Sequence, residues 1–408
     1  MKLIFLLIAA VCTISSVAQN KISGTLKDEK TGEPIAFANV FFSNTTFGSS
    51  TNDKGEFSFS RFPSGKYDLT FAFVGYATLQ VPVSFEGNTH LIVNQTLAPE
   101  AKLLSEILVK PDTAGWARNF RDFTYHLLGN SQYAKKCVIK NPKDVSLYFD
   151  KHEAVLVAHA KKPIVIENFA TGYRINYYLY FFEFQARTGI FNIYGFPQFE
   201  EMAAKNERVK KNWLKTRQRI YEGSLLHFMR SWRSGNWREN DFTVSRLYRV
   251  PNPKRPSDEF LSKKIKSLRE RSGGKLKFSF SSTDKPKVVD GDSLAYFIQL
   301  RSLPKEVDSV AKEKLTGKEF DVNGDGAENF KGLLTIKYDR LEEPEYAATV
   351  GRPDQRIKRQ SLLHVLQPIS IYDNGYYEDV KGIFLEKYWS WSEKISTLLP
   401  LDYVSQPD

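Results

Sequence analysis

The sequence predicts a mainly β protein with an α+β part, in which an N-terminal β-sandwich precedes a larger α+β domain. Residues 20–98 show short alternating apolar patterns separated by turn signals, which is typical of a sandwich. From residue 113 onward, apolar residues also recur at helical spacing. A chain of 408 residues is long enough for two or three domains.

The N-terminal strands are visible as alternations of apolar and polar residues, at 36–42, 57–59 and 67–71. Turn-forming runs separate them, at 30–34, 52–55 and 63–66. Glycines in these turns can adopt the positive φ angle that β-branched residues avoid. The pattern therefore predicts strands joined by tight turns.

Five short motifs follow one another in this region. They are Gly24-Thr25-Leu26, Gly32-x-Pro34-Ile35-x-x-Ala38-Asn39-Val40, Thr51-Asn52-Asp53-x-Gly55-x-Phe57, Gly65-x-Tyr67-x-Leu69 and Gly75-Tyr76. In order and spacing they resemble the carboxypeptidase regulatory-like domain. The resemblance implies a transthyretin- or immunoglobulin-like β-sandwich without catalysis, common in exported proteins of Bacteroidetes-type bacteria. The remaining chain resembles an uncharacterised region of such proteins, and no function comes with it.

The first residues have the pattern of a signal peptide. Lys2 is followed by an apolar run over 3–14 and by the small-x-small site Ser16-Val17-Ala18, so we expect cleavage after residue 18. A membrane anchor is disfavoured because a span needs about 20 apolar residues. Lipidation at Cys12 is disfavoured because Val11 precedes it where a small residue is required.

These observations predict a domain order. We expect a signal peptide at 1–18, the sandwich at 19–99, a linker at 100–115 and an α+β domain at 116–408 with an exposed loop at 251–258. Within the last domain, a strand is predicted over 175–184, and a helix over 203–233 with a kink at Gly223-Ser224. We expect no transmembrane helix after cleavage.

Cleavage would leave Cys137 as the single cysteine, which cannot form an intrachain disulfide. A buried and unreactive thiol is the simplest interpretation of Cys137. The signal peptide and the resemblance together predict an exported protein of Gram-negative type, in the periplasm or associated with the outer membrane. An exported chain does not meet nucleic acid, so we expect none as a partner.

Positive charge is concentrated in one part of the chain. The net charge is +11, and residues 201–280 hold 21 Lys or Arg against 8 Asp or Glu. Such a basic region suggests an anionic membrane surface, an acidic glycan or an acidic envelope protein as partner, although a set of solvated helix surfaces is the simpler explanation. The candidate binding residues are Lys210, Lys211, Lys215, Arg217 and Trp213.

An aromatic run forms the second candidate binding surface. Tyr177, Tyr178 and Tyr180 stand in a segment that is apolar at both odd and even positions. This pattern is typical of a central strand buried on both sides. It is also compatible with a surface on which sugars stack.

The sequence contains no set of zinc carboxypeptidase ligands. Zinc in such enzymes needs three protein ligands and one open position, and none of the six histidines is followed by Glu three residues later. Asp321, Asn323 and Asp325 begin like a calcium loop, but the twelfth position is Gly332, so an acidic hairpin turn is the alternative. We expect no cofactor.

These observations favour a non-enzymatic exported envelope protein with a binding or structural role. It would act through the β-sandwich and the basic α+β domain. The alternative is an unrecognised hydrolase that acts on envelope glycans or peptides. Its candidate carboxylates stand close to aromatic residues, at Glu167, Glu183, Glu200 and Glu201.

Overall fold

The computed structural model describes residues 20–87, 89–100, 115–271, 294–311 and 332–405. The predicted signal peptide and most of the predicted linker lie outside the described residues. The calcium candidates Asp321, Asn323 and Asp325 lie outside them as well.

Two facing sheets form the N-terminal unit. One contains β4 (Glu56–Phe62), β1 (Asn20–Asp28) and β7 (His90–Ile92), with β8 (Gln95–Leu97) also paired to β1. The other has the order β3 (Gly48–Ser50), β2 (Asn39–Phe42), β5 (Gly65–Ala72) and β6 (Leu79–Phe85). The predicted N-terminal β-sandwich is confirmed.

Aromatic side chains fill the space between the two sheets. Phe42 stacks on Tyr67 with ring centroids 4.5 Å apart, and Phe62 packs edge-on against Phe85 at 4.7 Å. At the turn before β4, Gly55 has a φ of +71°, and a Cβ there would lie 2.5 Å from the Leu26 carbonyl oxygen. This turn therefore requires glycine, as its sequence predicts.

An antiparallel sheet forms the first half of the α+β part. Its strands are β9 (Cys137–Ile139), β10 (Val145–Asp150), β11 (Val155–Ala160), β12 (Ile164–Asn168), β13 (Tyr173–Gln185) and β14 (Ile190–Glu201). The long strand β13 is central, because β11 and β12 pair with one of its edges and β14 with the other. Helix α1 (Trp116–Leu128) covers the sheet with Phe123 and Leu127.

A second antiparallel sheet follows. Its order is β16 (Glu306–Val310), β15 (Phe242–Pro251), β17 (Gly332–Glu342), β18 (Lys358–Val365) and β21 (Ile383–Lys387), and β19 (Ser370–Ile371) pairs separately with β20 (Tyr377–Glu378). The helices of this half are α2 (Glu207–Tyr221), α3 (Leu225–Arg233), α4 (Asp258–Arg271), α5 (Leu294–Ser302), α6 (Pro344–Thr349) and α7 (Tyr388–Ser392). Short 3₁₀ turns occur at Ala134–Lys136, Pro142–Asp144 and Val380–Gly382. The predicted mixture of strands and helices is confirmed.

The helix predicted over 203–233 is two helices. Helix α2 ends at Tyr221, and the Ser224 side chain accepts a hydrogen bond from the His227 amide at 3.1 Å to begin α3. Between them, Gly223 has a φ of +74°, and a Cβ there would lie 2.8 Å from the Tyr338 ring. The predicted kink is thus a complete break, because Gly223 leaves the helical conformation and Ser224 caps a new helix.

The sandwich is fastened to the α+β part along a seam. The Asn44 amide donates to the Pro197 carbonyl at 2.7 Å, and the Leu401 amide donates to the Asn44 carbonyl at 2.6 Å. Next to this, the Thr46 amide donates to the Asp402 carboxylate at 2.9 Å. The loop between β2 and β3 is therefore held from both sides, by β14 and by residues 401–402.

Candidate functional site

A pocket of about 380 Å³, measured out to its open mouth, lies where the α2–α3 junction meets the second sheet. Several distant segments meet there, and its wall combines charged, hydroxyl and aromatic side chains. The lining residues are Ser131, Tyr133, Ile220, Ser224, Glu343, Arg359, Tyr388, Trp391, Ser392, Glu393 and Thr397. The enclosed part of the pocket has room for only about one water molecule, whereas small-molecule sites usually enclose about 300–1,000 Å³.

A buried ion pair forms one side of the pocket. Arg359, on β18, is 3% exposed and donates from Nη2 to Glu343 Oε2 at 2.8 Å. Its Nη1 donates to the carbonyl oxygens of Arg219 and Glu222, where α2 ends. Helix carbonyls at this end lack partners within the helix, so Arg359 stabilises the α2 terminus while it neutralises Glu343.

A second carboxyl group, that of Glu393, also lines the pocket. Its Oε1 accepts from the Leu225 amide at the first turn of α3, at 2.9 Å. Burial raises the pKa of Glu393 to about 7, while this hydrogen bond and the charges of Arg359 and Lys394 oppose the increase. Glu393 therefore exchanges its proton near neutral pH.

Aromatic side chains complete the wall. The rings of Tyr388 and Trp391 are 5.9 Å apart, and the Trp391 indole donates to Asn130 Oδ1 at 2.7 Å. The neighbouring Trp389 donates its indole N–H to the Gly223 carbonyl at 2.9 Å. These bonds fix α7 against the α2–α3 junction, so the ring positions in the pocket are preorganised.

The predicted basic surface lies on α2, away from the pocket. Arg208, Lys211 and Lys215 follow one another at i, i+3 and i+7, which places them on one face of the helix. They are exposed, as is Lys210 on the flank, and none of them forms an ion pair with a described residue. We call Arg208, Lys210, Lys211 and Lys215 the α2 basic face.

Two of the candidate residues on α2 belong to the opposite face. Arg217 is 6% exposed, donates to the Thr171 carbonyl at 2.7 Å and pairs with Glu201 at 2.6 Å. Trp213 is 8% exposed and donates to the Phe169 carbonyl at 3.0 Å. The structure thus removes Arg217 and Trp213 from the predicted surface, because their side chains satisfy buried carbonyl groups.

The aromatic run on β13 is divided between core and surface. Tyr177 is buried, and Tyr178 stacks on Phe41 of the sandwich with centroids 5.0 Å apart. The register with β14 shifts between Leu179 and Phe181, and Tyr180 in this bulge is 68% exposed. Only Tyr180 of the three is available as a stacking surface, because the bulge turns it outward.

The carboxylates proposed for a hydrolase lie on the first sheet, where three of them have polar partners. Glu167 pairs with Arg174 at 2.8 Å, Glu200 accepts from Asn176 at 2.7 Å and Glu201 pairs with Arg217. Glu183 is partly buried on β13. Within the described ranges, no cluster of three or more His, Cys, Asp or Glu is placed to hold a metal ion.

The sequence analysis did not identify the pocket residues Glu343, Arg359 and Glu393.

Comparison with known families identifies the sandwich. Residues 22–109 match the CarboxypepD_reg-like domain family. The N-terminal unit is a carboxypeptidase regulatory-like domain. The resemblance inferred from the five motifs is therefore confirmed for this part of the chain.

No curated protein matches the sequence. In the part that the structure describes, no helix has the length and apolar character needed to cross a membrane.

Several solved structures are similar to parts of the chain. A streptococcal ancillary pilin is 14% identical, with 21% of this chain and 33% of the pilin covered and a TM-score of 0.18. A candidate carbohydrate-binding protein from Bacteroides uniformis is 14% identical over 40% of this chain and 60% of its own, with a TM-score of 0.17. A candidate membrane-associated protein of unknown function from Bacteroides fragilis is 10% identical over 91% and 95%, with a TM-score of 0.17. The chain spans only a third of the pilin, and TM-scores of this size support no conclusion.

Proposed function

We propose that this is a non-enzymatic, exported binding protein that attaches to an anionic surface of the cell envelope through the α2 basic face. The observation that carries the proposal is the row of Arg208, Lys211 and Lys215, exposed and without ion pairs among the described residues. The regulatory-like domain at 22–109 supports a binding role, because its family resemblance implies no catalysis.

The electrostatics of the α2 basic face determine how attachment should respond to salt. Exposed charges more than about 10 Å apart are screened at 0.1 M salt, and attraction to an anionic surface weakens as salt rises. Lipid headgroups and acidic glycans share this chemistry. An attachment made by charge is therefore released by salt, whereas one made by apolar burial is not.

The test compares two charge-reversed variants of the full chain in fractionated cells. Lys210→Glu, Lys211→Glu and Lys215→Glu together should remove the protein from the envelope pellet in low-salt buffer, whereas the unmodified protein leaves only in high salt. The control carries the same charge change at three exposed residues elsewhere, Lys151→Glu, Lys161→Glu and Lys162→Glu. Equal retention of both variants, or no salt-dependent retention at all, would overturn the proposal. Binding of the protein to vesicles with and without phosphatidylglycerol then distinguishes a lipid surface from a glycan surface.

A hydrolase remains the second candidate, because Glu343 and Glu393 line the same pocket. Two carboxyl groups in one cleft are the usual equipment of glycoside hydrolysis. Glu343, however, is 6% exposed and pairs with Arg359 at 2.8 Å, which leaves it poorly placed to attack a substrate or activate water. Release of reducing sugar from envelope glycans that Glu393→Gln abolishes would favour the hydrolase over the binding protein.

A further inference from the structure

We propose that the free edge of β14, over residues 190–196, pairs with the same edge of a second copy of this chain. The two first sheets then become one continuous sheet across a twofold axis. This edge shares no residue with the α2 basic face, so the dimer does not depend on attachment to an anionic surface.

The edge of β14 that faces away from β13 is covered at one end only. There the Phe199 amide donates to the Thr45 carbonyl at 2.9 Å, and the Pro197 carbonyl accepts from the Asn44 amide at 2.7 Å. No described residue pairs with this edge over residues 190–196. The β2–β3 loop therefore begins a pairing along the edge of β14 that nothing in the described part of the chain continues.

Three residues of this stretch direct their backbone groups to the free edge. Backbone N–H and C=O groups of successive residues point to opposite edges of a strand, and those of Pro197 and Phe199 point to the free one. Gly195, Ile193 and Phe191 follow at steps of two, and the register shift between the two strands lies on β13, not on β14. Each of the three therefore presents one N–H and one C=O without a partner strand among the described residues.

This arrangement of backbone groups is complementary to itself. In an antiparallel pair with Ile193 on the twofold axis, Ile193 lies opposite the partner's Ile193 and Phe191 lies opposite the partner's Gly195. Each of these pairs, and the symmetric pair of Gly195 with the partner's Phe191, exchanges two N–H···O=C bonds. Three such pairs satisfy every outward backbone group of both copies over this stretch.

The composition of the stretch permits pairing with its own copy. A charge close to a twofold axis lies close to the same charge in the partner, which is destabilising. Residues 190–196 read Ile-Phe-Asn-Ile-Tyr-Gly-Phe and contain no charged residue and no proline. The proline and the two terminal glutamates of β14 lie beyond residue 196.

The other edge strands have the features that normally prevent such pairing. Unpaired edges are usually protected by short length, by charged side chains or by proline. In the four larger sheets of the described chain, β3, β7, β8 and β9 are three residues long, and β4, β6, β10, β16 and β21 each contain a charged residue or proline. The free stretch of β14 is the exception, which indicates that it is an interface.

Exposed apolar side chains lie beside the free edge. Ile190 is 56% exposed and Tyr194 is 37% exposed, and Phe181, opposite Tyr194 on β13, is 42% exposed. Contiguous exposed apolar residues mark an interaction surface. In the antiparallel pair, Ile190 lies opposite the partner's Phe196 and Tyr194 opposite the partner's Asn192. The pairing therefore adds contacts between uncharged side chains to the backbone bonds.

The test measures the oligomeric state of the full chain by sedimentation velocity from about 1 to 100 µM, the range in which a complex of moderate affinity dissociates. We expect a monomer–dimer equilibrium. Ile193→Pro removes the outward N–H and keeps the pairing with β13, because proline is tolerated where the N–H of an edge strand faces solvent. It should raise the dissociation constant of the dimer at least about tenfold, since each copy loses one donor.

Ile193→Ala is the matched control. It removes the side chain, which packs against the core beneath the sheet, but keeps the backbone amide. The dissociation constant of its dimer should stay within about threefold of that of the unmodified protein. The Lys210, Lys211 and Lys215 charge reversal should also leave dimer formation unchanged, so that the dimer and the attachment to an anionic surface can fail separately.

Hydrogen exchange provides a second measurement that needs no variant. The amides of Phe191, Ile193 and Gly195 should exchange at least about tenfold more slowly at dimer-forming concentrations than in dilute solution. The amides of Asn192 and Tyr194 face β13 and should be protected at both. A chain that stays monomeric, exchange at the three outward amides that does not depend on concentration, or a dimer that a folded Ile193→Pro variant forms equally well would each overturn the inference.

Discussion

The sandwich and the α+β part differ in what they bury. The sandwich core consists of aromatic and aliphatic side chains, such as Phe42 and Phe85, and the buried charged group among its described residues is Asp28, which accepts from Tyr76 and from two backbone amides. The α+β part buries Arg217, Arg359 and Glu343 as well. Burying charge is costly unless partners compensate. The difference indicates that most of the buried charge, together with the partners that must compensate it, lies in the α+β part.

The largest effect should come from breaking the buried ion pair. Arg359→Leu leaves the buried Glu343 with only the partly exposed Arg219, 3.7 Å away, as counter-charge, and it removes the donor to the Arg219 and Glu222 carbonyl oxygens. We expect a loss of about 3–5 kcal/mol in the free energy of unfolding. Urea denaturation checks this. The double variant Arg359→Leu/Glu343→Leu should recover most of the loss. If the single variant loses less than about 1 kcal/mol, the charge of Glu343 is solvated and the contrast between the two regions is wrong.

A smaller loss is expected at the seam that joins the two regions. Asp402→Ala removes the acceptor for the Thr46 amide and hydroxyl groups. We expect the free energy of unfolding to fall by about 2 kcal/mol, because bonds to an ionised group are worth about 1.5–3 kcal/mol and removal also relieves the cost of burying the carboxylate. Calorimetry should then resolve separate transitions for the sandwich and the α+β part. A single unshifted transition would show that the bonds of Asp402 do not contribute to the coupling of the two regions.

The next effect depends on pH. Because burial raises the pKa of Glu393 from 4.5 to about 7, the folded state holds its proton more tightly than the unfolded state. The stabilisation that Glu393 contributes to the folded state is fully present below about pH 4.5 and is lost as the pH rises through about 7. Relative to Glu393→Gln, the unmodified protein should lose about 2–3 kcal/mol between pH 5 and pH 8.

The groups around Glu393 are the same in the Glu393→Gln variant and in the unmodified protein. Arg359, Lys394, Tyr377 and Tyr388 interact with its charge, and burial lowers the pKa of Lys394 to about 8. The pKa values of Tyr377 and Tyr388 are raised far above pH 8, so both keep their protons, whereas Lys394 interacts with the charge of Glu393 and shares in the difference between the two proteins. Parallel pH profiles for the variant and the unmodified protein would show that Glu393 is solvated.

The smallest effect should follow a change at the bulge on β13. Tyr180 is 68% exposed and contacts mainly Tyr194 and Phe196. We expect Tyr180→Ser to change the free energy of unfolding by no more than about 0.5 kcal/mol, as is usual for exposed positions. Tyr177→Ser, at a buried position on the same strand, is the matched contrast and should cost several times more. Equal losses would show that the bulge does not expose Tyr180.

The fold of the sandwich could be predicted from sequence because its signals are local. The alternation of apolar residues and the turn glycine at Gly55 lie within a few residues of the features they specify. The break at Gly223-Ser224 is local in the same sense. Arg217 also had a local signal, since it follows Trp213 by four residues and precedes Ile220 by three, on the buried face of α2.

The pocket could not be predicted in this way. Its charged groups come from three separate segments, with Glu343 before α6, Arg359 on β18 and Glu393 after α7. No spacing in the sequence indicates that these side chains meet. The outward turn of Tyr180 likewise depends on a register shift against β14, which apolar alternation does not encode.

The seam also constrains the order in which parts of the protein can fold during synthesis. A chain synthesised from its N-terminus completes the sandwich strands long before residue 402 exists. Yet Thr46 receives its partner Asp402 from 356 positions further along the chain. Contacts this distant in sequence form late and slow folding. During synthesis the polar groups of the β2–β3 loop therefore bond to water until residues 401–402 are made. A chain truncated before residue 400 cannot form the bonds between this loop and residues 401–402.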